Sequence, residues 1–326
     1  MDALVITEDH ALEVRERPTP QPGPHEVLVR VAGAGLNRAD LLQRAGSYPP
    51  PPGSPVDIPG MEFSGVVTEL GDAVSRVAVG DVVFGIVGGG AQVEYLAVHE
   101  LHCAPVPAGY DHVTAGGVPE NFITAHDALR TIAAVQPGER VLIHAVGSGV
   151  GTAALQLARA WGCPTVGTAR TPEKLERALE LGLDRAVLAD RELDPEALAK
   201  RILDDAGPCD VVIDLAGGDY VRADVAAAAP RARIVLIGLV AGSRASNLSV
   251  GAVLGKRLAL IGTTLRGRSV EEKAAATDAF TRDVVPLLAA GTVGPVMEGT
   301  FPLERAEDAY AHLASDTTFG KVILTP

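Results

Sequence analysis

One stretch decides the fold of this chain: Val141-Leu142-Ile143-His144-Ala145, followed at once by Val146-Gly147-Ser148-Gly149-Val150-Gly151. The first run is typical of a buried strand, and apolar residues then recur at helical spacing as far as Trp161. Glycines in a strand-to-helix turn let the backbone approach a phosphate closely, and the helix N-terminus supplies free N–H groups. The stretch therefore predicts a dinucleotide site, although its Gly-x-Gly-x-Gly spacing departs from a strict G-x-G-x-x-G pattern.

Strands and helices alternate along the chain after this turn. Thr171-Pro172 and Asp194-Pro195 each supply an N-cap followed by proline at the first helical position, so each opens a helix. The intervening strands are apolar on both faces, which is typical of a parallel sheet that helices cover on both sides. We therefore predict a doubly wound α/β domain, with further strands at residues 164–169, 210–214, 233–237 and 258–261.

The first 118 residues show a different sequence pattern, in which glycine and proline interrupt short Val-rich runs. Polar and apolar residues alternate at 26–31 and 63–67, which predicts half-buried strands of a small β-barrel or sandwich. Four prolines exclude helix and central strand at 47–53, so this segment is a stiff exposed loop. After a helix near 271–289, short strands at 297–301 and 321–324 are expected to rejoin this half. We expect domains over 1–118 and 119–265, and a segment over 266–326 that returns to the first domain.

Composition excludes several classes of protein. The 326 residues are 47% apolar and 21% charged, so the chain can bury a large core and is not mainly disordered. A formal net charge of −13 disfavours binding to nucleic acid or to an anionic membrane. No apolar stretch approaches the roughly 20 residues that span a bilayer. We expect no export signal, because MDALVITEDH places acidic residues where a signal peptide has basic ones. Three widely spaced cysteines, Cys103, Cys163 and Cys209, suit a reducing cytoplasm.

The end of the second strand indicates which dinucleotide the site prefers. An acidic residue there would bind the ribose 2′-hydroxyl of NAD. The segment reads Gly167-Thr168-Ala169-Arg170-Thr171-Pro172-Glu173-Lys174 and places no carboxylate at the strand tip. Arg170 and Lys174 can reach a 2′-phosphate, and Thr168 can hydrogen-bond to it, so we predict NADPH. The alternative is that both cations are ordinary solvated residues at a helix start.

Several segments resemble one known family. They are Asn37-Arg38-Ala39-Asp40, Gly60-Met61-Glu62-Phe63-Ser64-Gly65, the run from Gly88 to Tyr95, Pro119-Glu120-Asn121-Phe122-Ile123-Thr124-Ala125, the glycine turn, and Gly320-Lys321-Val322-Ile323-Leu324. In order and spacing the chain resembles the zinc-free quinone oxidoreductase branch of the medium-chain dehydrogenase/reductase superfamily. The resemblance implies a GroES-like β-barrel catalytic domain and a Rossmann-like parallel-sheet domain that binds NADPH.

The residues themselves argue against a zinc site. Zinc-dependent relatives use cysteine at the position matching Asn37, histidine at the position matching Met61, and a further cysteine near Glu120. One carboxylate cannot make a site of three protein ligands, so we expect no metal. The other ligand-like cluster, His99-x-x-His102-Cys103, is followed by Pro105 and is interpreted as the edge of a barrel strand.

The resemblance also implies roles for individual residues. Asn37 and Thr124 would lie beside the nicotinamide and its ribose, and Tyr48 would face the substrate as a ring that stacks on it and donates a proton. The alternative is that Tyr48 only anchors the proline loop. Asp40 would bond the cofactor region or pair with Arg38, and Arg266 would serve the phosphates or an interface. The remaining cofactor-binding residues are Ser148, Gly149, Val150 and Gly151 in the glycine turn and Gly238 and Leu239 after a later strand.

The predicted activity is zinc-independent hydride transfer from NADPH to a quinone or another flat electrophile. Quinone carbonyls are already electrophilic, so orientation and hydrogen bonding can suffice without a Lewis acid. One alternative is an NADPH-dependent reductase of α,β-unsaturated carbonyls or enoyl thioesters. Another is a dinucleotide-binding structural or RNA-associated protein, which the acidic charge and the intact Asn37, Tyr48 and Thr124 disfavour. The resemblance also implies a homodimer formed through a sheet edge of the cofactor domain, near residues 233–264.

Overall fold

The structure is a computed structural model that describes residues 1–189 and 194–326. It divides the chain into two compact units. Unit 1 comprises Met1–Ile123 and Leu265–Pro326, and unit 2 comprises Thr124–Thr264. Within the described ranges, no helix is both long enough and apolar enough to cross a bilayer.

The N-terminal part of the chain forms short strands separated by turns, as its alternating pattern predicts. They are β1 (Asp2–Ile6), β2 (Leu12–Glu16), β3 (Glu26–Leu36), β4 (Glu62–Leu70), β5 (Val82–Ile86), β6 (Tyr95–His99) and β7 (Cys103–Pro105). The helices here are α1 (Arg38–Arg44), α2 (His112–Ala115) and α3 (Pro119–His126). The loop predicted over 47–53 contains no helix or strand, because proline has no N–H group to donate, and the same holds for Ser54 and Pro55. Residues 48–55 are called the proline loop below.

Unit 2 alternates strands and helices. Its strands are β8 (Val141–Ile143), β9 (Thr165–Ala169), β10 (Arg185–Leu188), β11 (Cys209–Asp214), β12 (Ala228–Leu236) and β13 (Ala259–Gly262). Its helices are α4 (Gly149–Ala160), α5 (Pro172–Glu180), α6 (Pro195–Ala206), α7 (Tyr220–Ala227) and α8 (Val250–Lys256), and a π-helix covers Asp127–Ile132. The described strands form a parallel sheet in the order β10-β9-β8-β11-β12-β13. This is the doubly wound order, so the predicted fold class of this half is confirmed.

The chain then returns to unit 1. The elements are α9 (Val270–Asp283), α10 (Val285–Ala289), β14 (Met297–Pro302), α11 (Ala306–Ala314) and β15 (Lys321–Thr325). β15 pairs antiparallel with β3 and parallel with β14, so it joins the C-terminal strands to the sheet of β3, β4 and β5. β15 therefore brings Lys321 to the strand that ends beside Asn37.

Two predicted elements differ in the structure. The single helix predicted near 271–289 is two helices, α9 and α10, because Pro286 stands in the first turn of α10 and cannot continue the hydrogen bonding of α9. The strand predicted over 141–145 ends at Ile143, because Ala145 adopts a left-handed φ of 49° that opens the glycine turn.

Candidate functional site

Asp40 holds the backbone at the start of α1. Its carboxylate accepts hydrogen bonds from the backbone N–H of Asn37 at 2.8 Å and of Gly60 at 3.0 Å. Arg38 does not pair with it, because the Arg38 guanidinium binds Asp316 at 2.6 Å. Burial raises the pKa of Asp40 to about 6. Asp40 is therefore a structural support for Asn37, and the expected pairing with Arg38 is wrong.

Most hydrogen-bonding groups of the Asn37 side chain are occupied by other residues of unit 1. Its amide group donates to the carbonyl of Gly35 at 3.2 Å and to Glu62 at 2.9 Å, and its oxygen accepts from Lys321 at 2.6 Å. Both amide hydrogens are thus used, and the oxygen already accepts from Lys321. A cofactor or substrate hydroxyl could therefore meet Asn37 only as a donor to Oδ1.

A buried ion pair lies beneath Asn37. The ammonium of Lys321 contacts the carboxylate of Glu62, and their side chains are 3% and 0% exposed. Lys321 also reaches Asn121 Oδ1 at 3.5 Å, and Glu62 Oε2 accepts from the backbone N–H of Glu120 at 2.9 Å. The network satisfies both charges and fixes the start of α3 against β4. Sequence reasoning missed this pair, although a charged residue at the start of each apolar strand, β4 and β15, was a signal for it.

Glu120 lies close to this ion pair. Burial raises the pKa of its carboxyl to about 8, and the neighbouring Glu62 carboxylate adds to the shift. Below that pH the carboxyl is mainly protonated, so it adds little negative charge to the network. Zinc-dependent relatives carry zinc ligands at three positions, and Glu120 is the one residue at these positions that could bind zinc, because Asn37 and Met61 occupy the other two.

Tyr48 lies at the start of the proline loop and is partly exposed. Arg266 lies over its ring, with 5.0 Å between the guanidinium carbon and the ring centroid. The Arg266 side chain is 4% exposed and donates to the Tyr48 carbonyl at 3.2 Å. Arg266 thus sits in unit 1 beside the proline loop, which corrects the two roles expected for it, phosphate binding and an interface.

The glycine turn of unit 2 has the features of a phosphate site. Ser148 caps α4, accepting a hydrogen bond from the backbone N–H of Gly151 at 3.1 Å. Gly149 and Val150 occupy the first turn of α4, where backbone N–H groups have no acceptor within the helix. A Cβ at Gly151 would lie 2.5 Å from the Ala145 carbonyl oxygen. Only glycine therefore lets α4 begin this close to the end of β8.

Thr124 provides a second feature that fits a ligand. Its side chain is 9% exposed, and Oγ1 is buried without a hydrogen-bond partner in residues 1–189 and 194–326. A buried hydroxyl without a partner costs free energy unless a ligand or water satisfies it. Thr124 thus has a donor and acceptor to offer a nicotinamide or ribose group.

The tip of β9 carries the residues predicted to read the 2′-phosphate. Arg170 follows the strand directly, Lys174 lies in the first turn of α5, and both are partly exposed. Thr168 differs, because its side chain is 1% exposed and Oγ1 lies 2.8 Å from His144 Nδ1. The structure therefore corrects the expected contact between the Thr168 hydroxyl and the phosphate, since that hydroxyl faces the interior of unit 2.

His144 links Thr168 to Asp224 in the interior of unit 2. Its Nε2 lies 2.6 Å from Asp224 Oδ1, and both side chains are fully buried. Burial disfavours the charged imidazole, but the Asp224 carboxylate outweighs this and raises the pKa of His144. Asp214 accepts from the backbone N–H groups of Ala216 and Gly217 at 2.7 and 2.8 Å, and its carbonyl accepts from Gly238 at 3.2 Å. This network fixes the loops that follow β11 and β12, and Leu239 in the second loop is 64% exposed.

The His99–Cys103 cluster is bonded to the backbone. His99 Nδ1 accepts from Leu101 N at 3.2 Å, and His102 Nε2 lies 3.1 Å from the Val270 carbonyl oxygen. Burial lowers the pKa of His102 to about 4 and raises that of the Cys103 thiol to about 12. In the part of the chain that the structure describes, no three His, Cys, Asp or Glu residues are arranged to hold a metal ion.

Comparison with known proteins places the chain in a family. Residues 23–108 match the alcohol dehydrogenase GroES-like domain, and residues 149–281 match the zinc-binding dehydrogenase domain. Quinone oxidoreductase-like protein 2 of Bos taurus is 32% identical over 314 residues, which are 96% of this chain and 88% of that protein. This chain belongs to the quinone oxidoreductase branch of the medium-chain dehydrogenase/reductase superfamily. Its GroES-like and Rossmann-like domains are thereby confirmed.

Other relatives of this quinone oxidoreductase family member are also informative. The Escherichia coli quinone oxidoreductase complexed with NADPH has a TM-score of 0.86 and 26% identity, with 100% of both chains covered. The CurK enoyl reductase has a TM-score of 0.85 and 25% identity, covering 99% of this chain and 98% of that one. The polyketide synthase component PikAII of Streptomyces venezuelae is 34% identical over 94% of this chain, which spans 8% of that much longer protein.

Proposed function

We propose that the protein is an NADPH:quinone oxidoreductase that works without zinc. Two features of unit 2 carry the proposal. Thr124 Oγ1 is buried without a hydrogen-bond partner among residues 1–189 and 194–326, and the N–H groups of Gly149 and Val150 stand in the first turn of α4, where the helix itself offers them no acceptor. Both features fit a bound dinucleotide, and the family contains a quinone oxidoreductase solved with NADPH. When bound, NADPH supplies the hydride.

The residues of unit 2 would hold the cofactor. The N–H groups of Gly149 and Val150 donate to a pyrophosphate, with Ser148 and Gly151 shaping that turn. The charges of Arg170 and Lys174 stabilise a 2′-phosphate. Thr124 Oγ1 hydrogen-bonds to the nicotinamide end of the cofactor. Gly238 and Leu239, in the loop that follows β12, contact the same end.

The residues of unit 1 would handle the acceptor. Tyr48 stacks on a flat ring and donates a hydrogen bond to the oxygen on which negative charge develops. Asn37 Oδ1 accepts from a hydroxyl. This oxygen is held in place by Lys321 at 2.6 Å, so it is oriented before a ligand binds.

The zinc-free assignment rests on the chemistry of the side chains. Asn37 and Met61 are poor zinc ligands, and the Lys321 ammonium, in contact with Asn37 and Glu62, repels a divalent cation. We expect prolonged treatment with 1,10-phenanthroline to leave quinone reduction within twofold of the untreated enzyme. A stoichiometric metal whose removal abolishes turnover would contradict this assignment.

A substrate panel tests the proposed activity. Oxidation of NADPH is followed with ortho- and para-quinones, α,β-unsaturated aldehydes and ketones, and enoyl thioesters. The second candidate, an enoyl or enal reductase, is favoured by the similarity to the CurK enoyl reductase. Quinones are expected to give the highest kcat/KM. Faster turnover of enals or enoyl thioesters would favour the second candidate, and NADPH binding without turnover of any of them would favour a non-enzymatic dinucleotide-binding protein.

Replacing Arg170 by alanine tests the assignment of the 2′-phosphate. We expect KM for NADPH to rise about tenfold, on the order of 1.4 kcal/mol, because one charge-assisted contact is lost. KM for NADH should stay within about twofold, since NADH has no 2′-phosphate. Arg305→Ala is the matched control, because Arg305 is an exposed arginine of unit 1 that pairs with Asp308. Equal losses with both cofactors would remove Arg170 from the phosphate site.

We also propose that the protein is a cytoplasmic homodimer assembled through β13. This strand is the last in its sheet order, so its outer edge is unpaired within the described chain. Val250 and Leu254 on the preceding helix α8 are 64% and 71% exposed, which leaves apolar surface to cover. The three free cysteines suit a reducing compartment. Light scattering that gives a monomer mass at micromolar concentration would contradict the dimer.

A further inference from the structure

Arg266 is a buried cation whose hydrogen bonds go to neutral groups. Its Nε donates to the Gly88 carbonyl at 2.7 Å and one Nη to the Tyr48 carbonyl at 3.2 Å, while the other Nη contacts Gln43 Oε1. Within the described residues it forms no ion pair with a carboxylate. A buried guanidinium without an ion-pair partner is costly. Its hydrogen bonds nevertheless join three separate segments: helix α1, the proline loop and the loop after β5.

The proline loop lies directly on the glycine run Gly88-Gly89-Gly90. A Cβ at Gly88 would lie 2.5 Å from Ser54 Oγ and 2.7 Å from Pro51 Cγ, and a Cβ at Gly90 would lie 3.1 Å from Pro55 Cγ. The run therefore forms a floor without side chains, on which the rings of the prolines rest. Arg266 binds the floor through Gly88 and the loop through Tyr48, so it fastens one to the other.

Arg266 also determines which face of Tyr48 a ligand can use. Its guanidinium covers one face of the ring, 5.0 Å from the ring centroid. Guanidinium groups stack on aromatic faces, and this contact orients the ring as well as its backbone. A flat acceptor that stacks on Tyr48 is therefore restricted to the opposite face.

We propose that Arg266 is a positioning residue that fastens the proline loop to the glycine floor and presents one face of Tyr48 to the acceptor. The kinetic part of this inference rests on the proposed quinone reduction, whereas the loop-fastening part does not. Lysine at this position would keep the charge but lacks the planar fork that reaches three acceptors at once.

The test compares Arg266→Lys with Arg282→Lys, a control at an arginine of α9 that is 69% exposed. Hydrogen exchange is measured at Ser47 and Tyr48, whose N–H groups bind the Leu42 carbonyl, and at Ser54, whose N–H binds the Pro51 carbonyl. In Arg266→Lys we expect exchange at these amides to be at least about tenfold faster, with unit 2 unchanged. Unchanged exchange at all three would overturn the proposal.

Steady-state kinetics provide a second test of the role proposed for Arg266. We expect Arg266→Lys to lower kcat for quinone about thirtyfold and to leave KM for NADPH within about twofold. Adding Tyr48→Phe should cause little further loss, because both changes act on one ring. Fully additive losses, or equal losses in NADPH binding, would show that Arg266 does not act through Tyr48.

Further variants separate the ways in which this test can fail. Gly88→Ala keeps the Arg266 side chain but adds a Cβ that displaces the proline loop from the Gly88 carbonyl to which Arg266 binds. It should therefore reproduce the faster exchange and the selective loss of kcat even if Arg266→Lys does not fold. If exchange rises as expected but the wild-type protein reduces no quinone, the proposed function fails and the loop fastening stands. Normal exchange and normal kcat in Gly88→Ala would overturn the inference.

Discussion

Replacing Lys321 by methionine is expected to lower the free energy of unfolding of unit 1 by about 3–5 kcal/mol, which is the usual cost of removing one partner of a buried ion pair. The change leaves the Glu62 carboxylate, 0% exposed, without its cation. It also removes the donor that holds the Asn37 oxygen at 2.6 Å. Hydrogen exchange in β3 and β15 measures the loss in unit 1. The fluorescence of Trp161, the one tryptophan of the sequence, reports on unit 2 separately.

A control variant and a double variant are needed to interpret the result for Lys321→Met. Lys200→Met is the matched control, because Lys200 is 75% exposed in its pair with Asp204 and should change stability by less than about 0.5 kcal/mol. The double variant Glu62→Gln, Lys321→Met removes both charges and should recover part of the lost stability. If Lys321→Met were as stable as the control, the pair would not be the support of Asn37 that its geometry implies.

Replacing Gly151 by alanine is expected to raise the dissociation constant for NADPH about a hundredfold, which corresponds to about 2.8 kcal/mol. The added Cβ would lie 2.5 Å from the Ala145 carbonyl oxygen and 2.8 Å from that of Val146. These are backbone atoms, so the start of α4 must move instead. That movement displaces the N–H groups of Gly149 and Val150 proposed to bind the pyrophosphate. Titration calorimetry with NADPH measures the change.

A second glycine of unit 2 provides the control for Gly151. Gly251 lies in α8, where an added Cβ has no atom within 4 Å. Gly251→Ala should therefore bind NADPH normally and be more stable by up to about 1 kcal/mol, since alanine favours helix. If Gly151→Ala bound NADPH as tightly as Gly251→Ala does, the glycine turn would not be the phosphate site.

The His144 network shows how a local prediction can be right about an element and wrong about an atom. The strand that ends near Thr168 and the basic residues after it were predictable, because strand period and turn residues are local signals. The direction of the Thr168 hydroxyl was not predictable, because it depends on residues that are distant in the sequence. His144 lies 24 positions from Thr168, and Asp224 lies 80 positions from His144.

Local pattern alone determined the alternation of strands and helices in unit 2, the glycine turn, and the loop that four prolines exclude from regular structure. Hydrophobic period, capping residues and the missing N–H of proline act over a few residues, so a sequence displays them directly. Only the tertiary structure decided the pairs that support the site. Lys321 meets Asn37 across 284 positions, and Arg266 meets Tyr48 across 218. Such contacts exist only because the fold brings distant segments together, and burial then makes a charge costly unless an opposite charge or hydrogen bonds compensate it.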